Sequence, residues 1–242
     1  MTDAGRRLDV AAIILAGGRG SRLGQPKAGV RIAGETLLGR ALRAVDGIPA
    51  VVVGGPELDP ELDGRADTTR VRESPPFAGP AAAVGAGMAE LERRRPGTEW
   101  VLLLACDLPF APRAVPLLVD AAGTLGDDED GVCFGVDGRE QWLCGVYRGS
   151  VLRAGVALVA EGRGLASAPL RSVFDGRRLR VLDDADGVAV DIDTPDDLRR
   201  VEALVDGGDV APPAGLNSGL FGPHPGVPPV FRSQRPRKPP AS

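Results

Sequence analysis

Two cationic side chains, Arg22 and Lys27, close a glycine-crowded stretch that reads Leu15-Ala16-Gly17-Gly18-Arg19-Gly20-Ser21-Arg22-Leu23-Gly24-Gln25-Pro26-Lys27. Where side chains are absent, successive backbone N–H groups can approach an anion closely, so such a turn suits phosphate. No acidic residue lies between the two cations, an arrangement expected to leave their charge for a ligand. Asp107 follows the apolar run 101–105, and the carboxyl ends of strands are where open α/β sheets bind ligands. A turn former or the cap of a following helix is the other reading of that aspartate. A second acidic pair, Asp191 and Asp193, stands just before Thr194-Pro195-Asp196-Asp197-Leu198. Thr194, Pro195 and Asp197 make a helix start with capping-box character, and the pair is not needed for it.

Histidine is nearly absent: the single one, His224, lies in a Pro/Gly-rich stretch. Chemistry here must therefore run on carboxylates, basic side chains and a hard metal ion, which takes oxygen ligands. Two better-known glycine patterns fail. The P-loop requires Gly-Lys-Ser/Thr, whereas Lys27 lies between Pro26 and Ala28. The dinucleotide fingerprint requires a shorter glycine spacing, with a helix opening where Pro26 stands.

The elements that must position these residues follow from apolar spacing. Val10-Ala11-Ala12-Ile13-Ile14-Leu15 has the length and branching of a buried parallel strand. A helix is expected over 35–45, a strand at 51–53, polar turns over 56–67 and a strand at 69–72. A helix at 81–94 comes next, rich in small residues that either pack closely on a sheet or border a ligand. Then follow a strand ending at Asp107, a helix at 112–122, and two strands at 132–136 and 141–147 turned by Asp137-Gly138. Helices at 151–160 and around 165–174 and a strand at 179–182 complete the order. This alternation predicts an α/β fold of three layers, a mostly parallel sheet with helices on both faces and a small antiparallel addition. The acidic run 126–130 reads as a solvated face.

With 242 residues and 43% hydrophobic content, one substantial domain over 1–206 is expected. Residues 207–242 hold nine prolines and six glycines and read as a disordered tail. A net charge of −4 argues against a nucleic-acid partner. Three dispersed cysteines and the lack of an apolar run of ~18 residues point to a cytoplasmic protein without a membrane partner.

The loop from Leu15 to Lys27, the Cys106-Asp107-Leu108-Pro109-Phe110 segment and the Asp191–Leu198 segment together resemble the molybdenum cofactor guanylyltransferase family of nucleotidyltransferases, which have a Rossmann-like fold. The Gly79-Pro80-Ala81-Ala82-Ala83 stretch is similar to that family's Gly-Pro-Leu-Ala-Gly, with the second glycine missing. The resemblance implies transfer of GMP from GTP to Mo-molybdopterin with release of pyrophosphate. It implies nucleotide contacts at Leu15, Ala16, Gly17, Gly18, Lys27, Glu73, Gly79 and Asp107, with Glu73 where the family usually has aspartate. It further implies catalytic roles for Arg22, Lys27 and Asp107, Mg2+ at Asp107 and Asp193, and transient protein partners of cofactor delivery. The double glycine Gly17-Gly18 favours the guanylyl over the cytidylyl branch. A cytidylyl- or sugar-nucleotidyltransferase, an NAD-dependent oxidoreductase and a nucleotide-binding module without catalysis remain as rivals.

Overall fold

The structure, a computed structural model, describes residues 8–17 and 23–206. Its frame is a seven-stranded sheet. In chain order the sheet strands are β1 (Val10–Leu15), β4 (Ala50–Val53), β5 (Thr68–Val71), β6 (Trp100–Ala105), β7 (Gly131–Val136), β8 (Arg139–Arg148) and β9 (Leu179–Asp183). Two-residue strands β2 (Arg31–Ile32) and β3 (Glu35–Thr36) form a separate antiparallel ribbon. The spatial order is β5-β4-β1-β6-β8-β7-β9. All neighbours are parallel except where β8 meets β6 and β7. The antiparallel strand thus lies inside the sheet, and β7 and β9 extend it beyond.

Helices α1 (Leu37–Ala44), α4 (Ala111–Ala122) and α6 (Pro195–Asp206) share one apolar layer with Ala12 and Ile14 of β1. Helices α3 (Pro80–Arg94) and α5 (Gly149–Gly162) share the other with Ala11, Ile13 and Leu15. Both faces of β1 are buried, which is why its sequence is apolar without alternation.

Local differences from the sequence reading have local causes. Helix α1 starts two residues later than expected, because Glu35 and Thr36 pair with β2 and the Thr36 hydroxyl then accepts the Gly39 N–H at 2.9 Å. The polar stretch 56–67 contains a 3-10 turn, Pro56–Leu58, and a short helix, α2 (Asp59–Leu62). The helix expected around 165–174 is only a 3-10 turn, Leu170–Phe174, since Ser167 takes a φ of 59° and Pro169 precedes the turn. The acidic run 126–130 is not simply solvated: Glu129 is paired with Arg180 at 2.5 Å and Asp128 with Arg178 at 2.7 Å.

Gly155 of α5 packs against that 3-10 turn so closely that a Cβ would lie 2.0 Å from the Val173 carbonyl oxygen. Backbone cannot yield as a side chain can. Gly155→Ala should therefore destabilise the fold by about 3 kcal/mol, read as a fall in melting temperature of roughly 6–12 °C; an unchanged melting temperature would mean that α5 is not held this tightly.

Candidate active site

Strand order explains where the site lies. The chain runs from β1 to β4 and β5 on one side, then returns through α3 to β6 on the other side of β1. Connections leaving β1 and β6 therefore diverge to opposite directions of the sheet, and a crevice opens outside their carboxyl ends. Leu15 and Ala105 are register partners there, and the Cys106 N–H donates to the Leu15 carbonyl at 3.0 Å. Gly17 and Asp107, two residues beyond each strand, face the same opening.

A cavity of about 310 Å3 fills this crevice. Leu15, Ala16, Gly17, Lys27, Glu73, Gly79 and Asp107 all line it, so every described residue proposed for the nucleotide meets in one space. Gly18 and Arg22 lie outside the described residues, as does the tail 207–242. A second cavity of about 200 Å3 shares Ala105, Asp107 and Leu143 with the first and is otherwise bordered by residues including Gln141, Trp142 and Asp191. Trp142 is packed as well as lining: its ring stacks on Phe174 with centroids 4.7 Å apart.

Lys27 sits on a 3-10 turn, Lys27–Gly29, after Pro26. Its ammonium donates to Asp107 Oδ2 at 2.6 Å and to Asp193 Oδ1 at 2.5 Å. This corrects the expectation that its charge is unpaired; the partners are distant in sequence and invisible to local spacing. Burial pulls the Lys27 pKa down, but the adjoining charges and hydrogen bonds of Asp107 and Asp193 outweigh it and raise the value well above that of an ordinary lysine. The cationic form of Lys27 is therefore favoured. An ammonium has three N–H donors, so two carboxylates leave one for a further acceptor.

The acidic segment reaches the site by two anchors. The Ile192 N–H donates to the Asp107 carbonyl at 3.1 Å, tying the segment to the end of β6. The capping box at α6 then sets its exit: Thr194 N–H donates to Asp197 Oδ2 at 2.8 Å, and Asp197 N–H to the Thr194 hydroxyl at 3.2 Å. Asp197 Oδ2 also accepts the Asp193 N–H, at 3.3 Å.

Carboxylate oxygens of Asp107, Asp191 and Asp193 consequently lie within 4.8 Å of one another. Asp191 is exposed at the surface, yet surrounding protein and the charges of Asp107 and Asp193 raise its pKa. Three convergent carboxylates in a partly open site are hard-oxygen ligands of the kind a divalent cation takes. The sequence pointed to Asp107 and Asp193; it did not assign Asp191, whose only signal was that capping left it unused.

Glu73 is 7% exposed and donates nothing: its Oε1 accepts the Phe77 N–H at 2.9 Å. Gly79, with φ of 98°, precedes α3, whose first residue is Pro80. A side chain at such a φ is strained, so the turn requires glycine. Pro80 and Ala83 of the Gly79–Ala83 stretch also line the first cavity, as do Phe77 and Leu143, which were not singled out from sequence.

A sheet with its crevice at the β1/β6 switch point, Gly17 at the end of β1, a lysine cation and a carboxylate cluster define a nucleotide-handling α/β protein. Residues 12–181 match the MobA-like NTP transferase domain, and the chain belongs to that family. A molybdenum cofactor guanylyltransferase of Cupriavidus pinatubonensis is 30% identical over 205 residues, which cover 81% of this chain and 98% of that protein. One of Rhizobium meliloti is 32% identical over 118 residues, 48% of this chain and 54% of that protein. The chain thus spans about half the length of this latter relative. The crystal structure of molybdopterin-guanine dinucleotide biosynthesis protein A from Archaeoglobus fulgidus superposes with a TM-score of 0.62 at 20% identity, over 81% of this chain and 99% of that one, and so shares the fold. Among the described residues, no helix is long and apolar enough to cross a membrane.

Proposed function

We propose that the protein transfers GMP from GTP to the terminal phosphate of a molybdopterin-type acceptor. The observation that carries this reading is the meeting of Lys27 with Asp107 and Asp193 at a cavity lined by Leu15, Ala16 and Gly17. In the reaction, an acceptor phosphate oxygen forms a bond to the α-phosphorus while the bond to the bridging oxygen of the β-phosphate breaks, and pyrophosphate leaves with that oxygen. No protein nucleophile is needed, and catalysis rests on positioning and charge neutralisation.

The backbone of Leu15, Ala16 and Gly17 cradles the β- and γ-phosphates, a role the sequence resemblance also gives Gly18 and Arg22. Lys27 gives its third N–H to the α-phosphate, where negative charge builds at the transition state. Asp107 and Asp193, with Asp191 beside them, would hold Mg2+, which would supply Lewis-acid charge at the phosphates. The second cavity, sharing Asp107, receives the acceptor. Glu73 is a buried carboxylate and takes N–H donors from the base. Guanine presents a ring N–H and an amino group side by side, which suits a carboxylate; this and the guanylyltransferase relatives favour GTP. The reading places the work in the cytoplasm, with transient protein partners delivering the acceptor.

A thermal-shift panel of GTP, CTP, ATP and UTP with Mg2+ tests the ligand. At a concentration 100 times its dissociation constant, GTP should stabilise the fold by about 2.7 kcal/mol, and the other three by less. A larger shift with CTP would transfer the assignment to a cytidylyltransferase, and no shift with any triphosphate would overturn it.

A further inference from the structure

Phe77 is one of three large apolar side chains that stand exposed among the described residues, at 50%, and the other two, Leu117 and Leu158, do not line the cavity. Its backbone adopts a φ of 63°, a left-handed conformation that disfavours any side chain. That conformation is held from several directions. Glu73 accepts the Phe77 N–H at 2.9 Å, the next carbonyl, of Ala78, accepts the Ser167 N–H at 2.7 Å, and the Arg72 guanidinium lies 5.4 Å from the ring centroid. An aromatic ring is thus kept at the mouth of a ligand cavity rather than in the core.

The charges of the crevice give this ring an end of the ligand. Along the carboxyl edge of the sheet, Glu73 and Phe77 follow β5, Gly17 follows β1, and Asp107 with Lys27 lies beyond β6. A polyphosphate belongs with the ammonium and its cation-binding carboxylates. The buried Glu73 carboxylate repels phosphate from the β5 side, so an uncharged, hydrogen-bonding part of the ligand must lie there. Gly79, Pro80 and Ala83 make the same side small and apolar.

We infer that Phe77 is the stacking surface for the nucleobase, a contact that gives affinity for nucleoside triphosphates without choosing among bases. The inference rests on the nucleotide reading of the cavity and adds the residue that grips the base. Every base has a π-face, so aromatic stacking strengthens binding whatever the base.

The test measures binding to the full chain by calorimetry, with Mg2+ and three probes: GTP, CTP and inorganic tripolyphosphate. Phe77→Ala should weaken GTP and CTP about tenfold each while leaving tripolyphosphate unchanged, and Phe77→Trp should restore nucleotide affinity. Unchanged GTP affinity in Phe77→Ala overturns the inference. A parallel loss of tripolyphosphate affinity also overturns it, because the residue would then act by shaping the loop. If the unsubstituted protein binds tripolyphosphate but gains nothing from a base, the stacking role fails while a phosphate site stands. If it binds none of the three, the nucleotide reading fails with it.

Discussion

Lys27→Ala should lower pyrophosphate release at saturating nucleotide by about 100-fold or more. The reason is where the charge is. The neighbouring carboxylates raise the Lys27 pKa and so favour its cationic form, and Asp107 and Asp193 fix its ammonium at 2.6 and 2.5 Å. A preorganised charge of this kind acts where negative charge develops, and removing one such group typically costs 10²–10³-fold in turnover. Lys27→Arg should recover only part of the rate, since the planar guanidinium cannot point one donor at each of three converging acceptors as an ammonium can. The measurement is single-turnover pyrophosphate release at saturating nucleotide. Wild-type turnover in Lys27→Ala would remove the central role of this side chain.

Asp107→Asn should be comparably severe, about 10²-fold or more in turnover, and for a different reason. The substitution keeps the shape of the side chain and removes one of three converging carboxylates, so cation binding weakens along with the anchor of Lys27. Manganese titrated into the protein with nucleotide present, followed by electron paramagnetic resonance, should show weaker binding in Asp107→Asn than in the unsubstituted chain. The backbone ties at this position, from Ile192 N–H to the Asp107 carbonyl and from Cys106 N–H to Leu15, do not involve the side chain, so the fold should persist. Unchanged metal affinity with intact turnover would show that the carboxylate serves the turn alone, the other reading that its position at a strand end allows.

The two variants differ in what they leave behind. Lys27→Ala removes an ammonium that Asp107 and Asp193 share, which increases repulsion in the carboxylate cluster, so its melting temperature should respond more to added Mg2+ than that of Asp107→Asn.

The structural elements were largely legible from local sequence because their causes are local. An unbroken apolar run specifies a strand buried on both faces, as in Val10–Leu15 and Trp100–Ala105. Thr194, Pro195 and Asp197 specify a helix start through bonds that span three residues. The positions of Gly17 and Asp107 were legible for the same reason, since each follows the end of an apolar strand. Where local signals competed, the reading was less sharp: Glu35 and Thr36 suit a first helical turn, but the ribbon with Arg31 and Ile32 claims them.

Tertiary structure alone decided which groups act on one another. Lys27 is separated from Asp107 by 80 residues and from Asp193 by 166, and only the order β5-β4-β1-β6-β8-β7-β9 brings the three together. The same order places β8 inside the sheet and gathers Asp191 into the carboxylate cluster. Phe77 carries no signal in its spacing; its importance arises from a backbone turn pinned by Glu73 beside a cavity made by distant strands. Periodicity and capping act over a few residues and are written in neighbouring letters, whereas convergence of charge depends on how strands are ordered, and that is settled only when the whole core packs.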